Sequence, residues 1–294
     1  MNAPLQRLSR EGLLLLAMLS LGWGLNWVVV KVALTEVPPL YFRAVSLLFG
    51  GIGLMLVARH SGASLRVPPG QWGRVLLIAL CNTVLCNVLV IYGISLLPAG
   101  RAALLNYTMP LWGLLLSVWL LGERLTVRRV VALALGLAGV ATLLAASLDG
   151  MRQAPLGVVC MLAAAWSWAL GIVLIKRLPV DMPPTVLTGW MLLLGGLPVL
   201  VAAVPLESAQ LVWPSFWPLF GVLYNVFISC MLCYWAWTRL VLMVPVAVSS
   251  LSSLSMPLVG VLSGVVLLGE PFGMYEGLAV LLIFSAVGSV LPRR

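Results

Sequence analysis

The chain has 294 residues, of which 62% are hydrophobic and only 9% are charged, and its mean hydropathy is +1.13. A soluble domain of this length carries about 25% charged residues, so the composition excludes a soluble globular protein and indicates a membrane protein. Most of the 17 Lys and Arg residues behind the net charge of +9 lie in loops, which is typical of a topology signal and does not favour nucleic-acid binding.

Apolar runs long enough to span a membrane recur along the whole chain. A spanning helix needs about 20 apolar residues, and short polar or Pro-rich breaks divide the runs into ten predicted helices. The first follows a basic opening segment without a small-residue cleavage site, so it is interpreted as a retained span. The loops are too short for a soluble catalytic domain. The predicted helices are 12–34, 38–58, 73–96, 99–121, 127–147, 155–177, 184–204, 215–237, 245–268 and 272–291.

The fourth and ninth predicted helices carry the same segment. Residues 109–123 read MPLWGLLLSVWLLGE and residues 256–270 read MPLVGVLSGVVLLGE, identical at ten of fifteen positions. KVALTEVPP at 31–39 likewise matches KRLPVDMPP at 176–184. Both matches predict an all-α membrane protein of two five-helix repeats, residues 1–148 and 149–294. An odd number of spans inverts the second repeat, an arrangement typical of alternating-access transporters. Chance similarity is the alternative, which the shared Pro, Gly and Glu positions disfavour.

The bases predict the orientation, because Lys and Arg accumulate on the cytoplasmic side of a membrane. With ten spans and both termini inside, thirteen of the 17 lie in cytoplasmic segments. Lys31, Arg101 and Arg152 lie on the opposite side, and Arg43 lies within a span. The first repeated segment is followed by RLTVRR and the second by PFGMYE, as expected of copies that face opposite sides.

The two five-helix halves, each with a Pro-containing fourth helix that runs into LLGE, and the WGLNW at 23–27 resemble the EamA-like branch of the drug/metabolite transporter superfamily. LLPAGRAALLNYTMPLW at 96–112 and the many Trp residues are similar to the bacterial aromatic amino-acid exporters of that branch. The resemblance implies a ten-helix transporter of the bacterial inner membrane that exports amino acids or related metabolites. A multidrug or nucleotide-sugar transporter of the same fold is the alternative.

Polar and aromatic side chains inside spans are the candidate site, because lipid penalises buried polar groups and a central cavity does not. Trp23, Asn26 and Trp27 lie on one helix face, where they form either a cavity wall or an interfacial belt. Arg43 either binds a substrate carboxylate or extends to the outer interface beside Tyr41. The predicted substrate-binding residues are Trp23, Asn26, Trp27, Tyr41, Arg43, Asn82, Asn106, Trp112, Trp168 and Trp190. Further aromatic candidates are Trp166, Tyr234 and Trp235.

Prolines mark possible hinges in the two fourth helices. Pro110 and Pro257 release the carbonyls of Asn106 and Ser253, four residues earlier. These groups contact substrate, act as hinges or satisfy the helix alone. Asn82 and Asn225 either contact the ligand or form hydrogen bonds between helices. Glu123 and Glu270 end the LLGE motifs at helix boundaries, where a structural role is predicted together with Pro110 and Pro257.

An intramembrane enzyme is the rival class. The sole histidine, His60, lies in a predicted cytoplasmic loop, and neither HExxH nor a pair of intramembrane aspartates occurs. Cys230 and Cys233 form a CxxC within a span, which is interpreted as packing rather than a metal site. No cofactor, metal or nucleic acid is therefore expected. The expected partners are a small-molecule substrate and the lipid bilayer, and a monomer suffices.

Overall fold

The computed structural model describes residues 10–106, 108–122, 127–146, 154–237, 256, 259–260, 262–269 and 272–290. All regular secondary structure in these ranges is helical. The helices are α1 Arg10–Ala33, α2 Pro39–His60, α3 Trp72–Leu96, α4 Ala99–Asn106, α5 Met109–Leu121, α6 Val127–Ala146, α7 Pro155–Arg177, α8 Pro184–Glu207, α9 Phe216–Trp237 and α10 Met274–Val290.

The protein is an all-helical membrane protein. Within the described ranges, six helices are long and apolar enough to cross a membrane: α1, α2, α3, α7, α8 and α9. α4 and α5 together occupy the predicted fourth helix, and α6 and α10 occupy the fifth and tenth. Residues 256, 259–260 and 262–268 are helical where the ninth is predicted. The total of ten spans remains a prediction. Glu123, Ser253, Pro257 and Glu270 lie outside the described residues.

Two Pro-Pro pairs begin α2 and α8. Pro38 and Pro183 precede these helices with φ of −57° and −56° and ψ of 138° and 136°, and Pro39 and Pro184 occupy the first turn. Proline is favoured there because the first turn of a helix does not use its N–H. The matching segments 31–39 and 176–184 therefore adopt the same local structure at this point.

The glycine of each LLGE motif ends a helix. Gly122 follows α5 with a φ of 68°, and Gly269 follows the helical residues 262–268 with a φ of 64°. Only glycine adopts positive φ without a steric cost from Cβ, and it commonly ends helices in this conformation. The repeated glycine is thus explained by the backbone.

α3 and α9 each contain a π-helical segment in the middle of a long helix. The segments are Ala79–Leu85 in α3 and Asn225–Cys233 in α9. Asn82 and Asn225 lie in these segments, one in each. α3 and α9 are also the third helices of the two predicted repeats. Because π-helical turns are rare and are often found at functional sites, the pair marks a region of interest.

The main helix contacts run between the first and second halves of the chain. α2 packs on α8, α6 on α10, α1 on α9 and α3 on α7. Glycines bring α2 and α8 close together: a Cβ on Gly51 would lie 2.9 Å from Leu193, and a Cβ on Gly196 would lie 2.7 Å from Leu48. The core is therefore built mainly at the junction of the halves.

Two acids make matching contacts. Glu36, which follows α1, accepts hydrogen bonds from the N–H and hydroxyl of Ser215 at 2.6 and 2.7 Å, just before α9. Asp181, which follows α7, contacts the side chain of Gln71, just before α3. The Asp181 carboxylate accepts a hydrogen bond from Gln71 Nε2 at 2.6 Å, and the Asp181 backbone N–H donates to Gln71 Oε1 at 2.9 Å. Each acid therefore holds the start of the π-containing helix of the other half.

The two ends of α3 receive side chains from different halves. Lys31, near the end of α1, donates hydrogen bonds to the Ile94 and Leu97 carbonyls, both at 2.8 Å, at the C-terminal end of α3. The α7–α8 loop binds Gln71 at the N-terminal end. α3 has 25 residues, which at 1.5 Å per residue separates these contacts by about 37 Å. The ends of α1 and α7 therefore lie at opposite ends of α3.

Candidate functional site

A cavity of about 150 Å³ lies between the two halves. Its walls come from α1 to α4 and the start of α5 in the first half, and from α7, α9 and Met256 in the second. A cavity of this size holds a benzene-sized ring. Mostly apolar walls with a few polar groups are the usual composition of a small-molecule site.

Four aromatic residues that line the cavity are linked by ring contacts and are called the aromatic wall: Trp23, Trp168, Tyr234 and Trp237. The Trp23 ring centroid lies 5.5 Å from that of Tyr234, edge-on, and 5.9 Å from that of Trp237. The Trp168 and Tyr234 centroids are 6.3 Å apart. Aromatic pairs prefer such offset geometries. The aromatic wall therefore offers rings and edges to an aromatic or large apolar group.

The π-helical segment of α9 positions α1 at the cavity. Trp23 Nε1 donates to the Ser229 carbonyl at 3.2 Å, and Asn225 Nδ2 donates to Asn26 Oδ1 at 2.7 Å. Ser229, whose carbonyl accepts, and Asn225, whose amide donates, both lie within the π segment Asn225–Cys233. The altered hydrogen-bond ladder of a π segment leaves backbone groups available for such contacts. α1 is thus fixed with Trp23 and Asn26 lining the cavity.

Arg43 lines the cavity from α2. It is only 4% exposed, so it does not extend to the surface beside Tyr41. Its Nε has no hydrogen-bond partner. None of the described residues that line the cavity with it is an Asp or a Glu. Arginine stays protonated in proteins, so the cavity contains a buried guanidinium available to an anionic group.

Asn106 lines the cavity at the C-terminal end of α4. It is 9% exposed, and its Oδ1 has no hydrogen-bond partner. The predicted fourth helix is interrupted at Thr108, which lies in a turn between α4, which ends at Asn106, and α5, which begins at Met109. Pro110, in the first turn of α5, has no N–H to donate to the Asn106 carbonyl. Asn106 Oδ1 is thus an unpaired acceptor beside this break.

Six of the ten predicted binding residues line this cavity, and four lie elsewhere. Tyr41 hydrogen-bonds the Ser208 hydroxyl at 2.8 Å, and Trp190 donates to the Leu65 carbonyl at 2.9 Å. The remaining two contact neighbouring backbone or side chains: Asn82 donates to the Trp168 carbonyl at 3.3 Å, and Trp112 to the Thr108 hydroxyl at 3.2 Å. All four have partners that account for them structurally. The six in the cavity are Trp23, Asn26, Trp27, Arg43, Asn106 and Trp168.

Several lining residues were not predicted. Trp237 completes the aromatic wall, and Cys86, Asn87, Ser229 and Cys230 contribute polar or polarizable atoms. Helical periodicity could not indicate Ser229 and Cys230, because the π segment shifts which residues of α9 point inward. Among the described residues, no cluster of His, Cys, Asp and Glu is arranged to hold a metal ion.

Comparisons with known proteins find similar chains over almost the whole length. The family model described as the EamA-like transporter family matches residues 10–145 and again residues 155–291. The chain is 30% identical over 285 residues to a probable amino-acid metabolite efflux pump of Salmonella typhimurium, covering 94% of this chain and 93% of that protein. It is 40% identical over 165 residues to the uncharacterized transporter YvbV of Bacillus subtilis, covering 56% of this chain and 53% of that protein. A protein of known crystal structure is similar with a TM-score of 0.71 at 23% identity, over 96% of this chain and 97% of that chain, which shows the fold alone.

Proposed function

The chain belongs to the EamA-like transporter family, and from that premise we propose that it exports amino acids, with aromatic and large apolar ones favoured, and related metabolites across a bacterial inner membrane. The family makes the protein a membrane transporter rather than an enzyme. A relative of nearly equal length is described as a probable amino-acid metabolite efflux pump. That description supports both the substrate class and the direction of transport.

The observation that carries the proposal is the cavity between the halves, which is lined both by the aromatic wall and by Arg43. An aromatic amino acid has a matching pair of features, a ring and a carboxylate. Rings favour edge-on contacts with other rings, and guanidinium groups favour carboxylates. The expected binding residues are those of the cavity, with Trp23 and Trp27 against the side chain and Asn26 or Arg43 at the amino-acid end.

The contacts of α3 support two inverted repeats, residues 1–148 and 149–294. α1 and α7 are the first helices of the two repeats, yet α1 ends beside the C-terminal end of α3 and α7 ends beside its N-terminal end. The two helices therefore point in opposite directions. In such a repeat the first helix of each half should pack on the third helix of the other half in the same way. Both contacts occur, α1 on α9 and α7 on α3.

Alternating access follows from such an architecture when one site is exposed to each side in turn. The cavity lies where both repeats contribute residues, so relative movement of the repeats would open it to one side or the other. The break between α4 and α5 at Pro110 supplies a hinge next to the site. The distribution of Lys and Arg supports cytoplasmic termini and ten spans in all.

The proposal is tested by replacing Trp23 and Trp27 together with alanine in the full-length protein reconstituted in liposomes. Ring pairs contribute about 0.5–1.5 kcal/mol beyond burial, which corresponds to about a tenfold preference. We expect transport of labelled phenylalanine or tryptophan to fall by about this factor, and transport of threonine to fall much less.

The matched control is Trp119→Ala, because Trp119 lies on α5 with its side chain 78% exposed. This variant should transport phenylalanine and threonine as the unmodified protein does. Size-exclusion profiles of all variants establish folding. Equal loss of phenylalanine and threonine transport in the Trp23 and Trp27 variant would mean that the two tryptophans only pack the protein.

A further inference from the structure

Two residues that line the cavity each have a polar side-chain atom without a hydrogen-bond partner. Among the described residues, Arg43 Nε and Asn106 Oδ1 are the buried side-chain nitrogen and oxygen atoms without a hydrogen-bond partner. Both residues line the cavity, and both are more than nine-tenths buried. An unpaired buried polar group destabilises a protein, and native structures contain few of them. A ligand that pairs with both atoms would remove both penalties at once.

The two atoms have opposite requirements. Arg43 is a donor with a permanent positive charge. Because the described residues that line the cavity include no Asp or Glu, no described acid of the cavity neutralises it. A carboxylate fits this position, since guanidinium and carboxylate form paired, charge-assisted hydrogen bonds.

Asn106 Oδ1 is an acceptor, and its surroundings favour a positive group. Asn106 is the last residue of α4, and the C-terminal end of a helix carries partial negative charge. The backbone carbonyl of Asn106 receives no hydrogen bond from Pro110, which has no N–H. A protonated amine, with three N–H donors, fits a position that has an unpaired amide oxygen near the negative end of a helix.

We propose that the cavity is a two-point site for the α-amino-acid group, in which Arg43 binds the carboxylate and Asn106 binds the ammonium. This assignment rests on the proposed export of amino acids and specifies it. Asn106 is the better ammonium acceptor than Asn26, because Asn26 Oδ1 already accepts a hydrogen bond from Asn225 at 2.7 Å, whereas Asn106 Oδ1 has no partner. The aromatic wall then binds the substrate side chain. Molecules that lack either charged group leave one buried atom unpaired.

Three probes of similar size test the two points separately: L-phenylalanine, 2-phenylethylamine, which lacks the carboxylate, and 3-phenylpropionate, which lacks the ammonium. Each is added as a competitor of labelled phenylalanine transport by the full-length protein in liposomes. We expect 2-phenylethylamine and 3-phenylpropionate each to compete at least about tenfold more weakly than phenylalanine, equivalent to about 1.4 kcal/mol.

Two variants connect each point to its residue. Arg43→Gln should bring 2-phenylethylamine close to phenylalanine while 3-phenylpropionate remains the weaker competitor. Asn106→Leu, which keeps the branching at Cγ and removes the acceptor, should bring 3-phenylpropionate close to phenylalanine while 2-phenylethylamine remains weak. A merely structural role would change all three probes together. If either variant fails to fold, Arg43→Lys and Asn106→Ser are used, and the same changes are expected at smaller size.

The inference is overturned if the unmodified protein binds the three probes alike. It is also overturned if each variant changes the competition by 2-phenylethylamine and by 3-phenylpropionate, relative to phenylalanine, to the same extent. In that case phenylalanine transport that still depends on Trp23 and Trp27 would leave the proposed function intact. If the unmodified protein transports no amino acid, the proposed function and the two-point site are both wrong.

Discussion

At the scale of single residues, Gly50 sets the distance between α2 and the π segment of α9. A Cβ at this position would lie 2.4 Å from the Cβ of Cys230, far inside van der Waals contact. Cys230 lines the cavity, and Arg43 lies on the same helix as Gly50. An added methyl group would therefore push apart the two helices that enclose the guanidinium.

We expect Gly50→Ala to destabilise the protein by about 1–3 kcal/mol, because overpacking a close helix contact costs this much. The measurement is the thermal unfolding of the purified protein in detergent. Gly73→Ala is the matched control, since a Cβ on this helical glycine has nothing within 4 Å. If Gly50→Ala unfolds at the same temperature as the control, the helices can separate at no cost.

Sequence reasoning predicts the depth of a polar or aromatic side chain better than its direction. Trp23, Asn26 and Trp27 follow helical spacing on α1, and all three line the cavity. Trp190 is just as aromatic and lies in a span, but its indole N–H bonds the Leu65 carbonyl and its ring packs 5.2 Å from that of Trp72. That partner comes from a loop 125 residues away, which no local pattern indicates.

At the scale of helices and their ends, Gly122 terminates α5 with a φ of 68°. Most residues other than glycine avoid this conformation because of contacts of Cβ with the backbone, at a cost of about 1–2 kcal/mol. We expect Gly122→Ala to lower the thermal stability by about that amount. Gly122→Asn should cost less, because asparagine tolerates the left-handed region.

Gly113→Ala is the control for this experiment. Gly113 lies inside α5, a Cβ there has nothing within 4 Å, and its φ is not positive. The substitution should be neutral or slightly stabilising, because alanine has the higher helix propensity. A Gly122→Ala variant as stable as the Gly113→Ala variant would contradict the explanation of the LLGE glycine.

Helix positions were largely predictable and helix interiors were not. The sixth predicted helix, 155–177, coincides with α7, and the described residues 127–146 of the fifth, 127–147, are all helical. A proline and two basic residues mark the ends of α7. The π segments of α3 and α9 have no such signal, because a single extra residue per turn leaves composition and hydropathy unchanged. The break at Asn106 was indicated by Pro110, whose missing N–H is visible in the sequence.

At the scale of the whole molecule, the predicted topology places the α1–α2 loop outside and the α2–α3 loop inside. Thr35, in the α1–α2 loop, and His60, the last residue of α2, are both exposed. The five native cysteines are buried. We expect Thr35→Cys in intact cells to react with a membrane-impermeant maleimide, and His60→Cys to react only after the cells are opened. The reverse pattern would contradict the orientation given by the bases.

The distribution of titratable groups predicts weak pH dependence of transport. The described lining of the cavity contains no carboxylate, and the one histidine, His60, lies at the end of α2. Histidine is the ordinary side chain that titrates near neutral pH. We expect the rate of phenylalanine transport in liposomes to change by less than about twofold between about pH 6 and pH 8.

The contact between Glu36 and Ser215 also does not titrate in this range. Hydrogen bonds from the backbone N–H and then the hydroxyl of Ser215 lower the pKa of Glu36. A carboxylate with a lowered pKa stabilises the folded state above its ordinary pKa of about 4.3, and this contribution is lost as the pH falls through the lowered value. Neutral pH therefore leaves the contact intact. Strict coupling of proton uptake to amino-acid movement in the neutral range would contradict the prediction.

The packing of the first half against the second also has a consequence for synthesis. α2 packs on α8 and α1 packs on α9, and the ribosome makes these partners well over one hundred residues after the helices they cover. At about 5–20 residues per second, α2 waits on the order of 10 s for α8. During that time the close-packing face of α2, with Gly50 and Gly51, has lipid or the insertion machinery as its neighbour. The nascent protein therefore completes its core only when the last third of the chain enters the membrane.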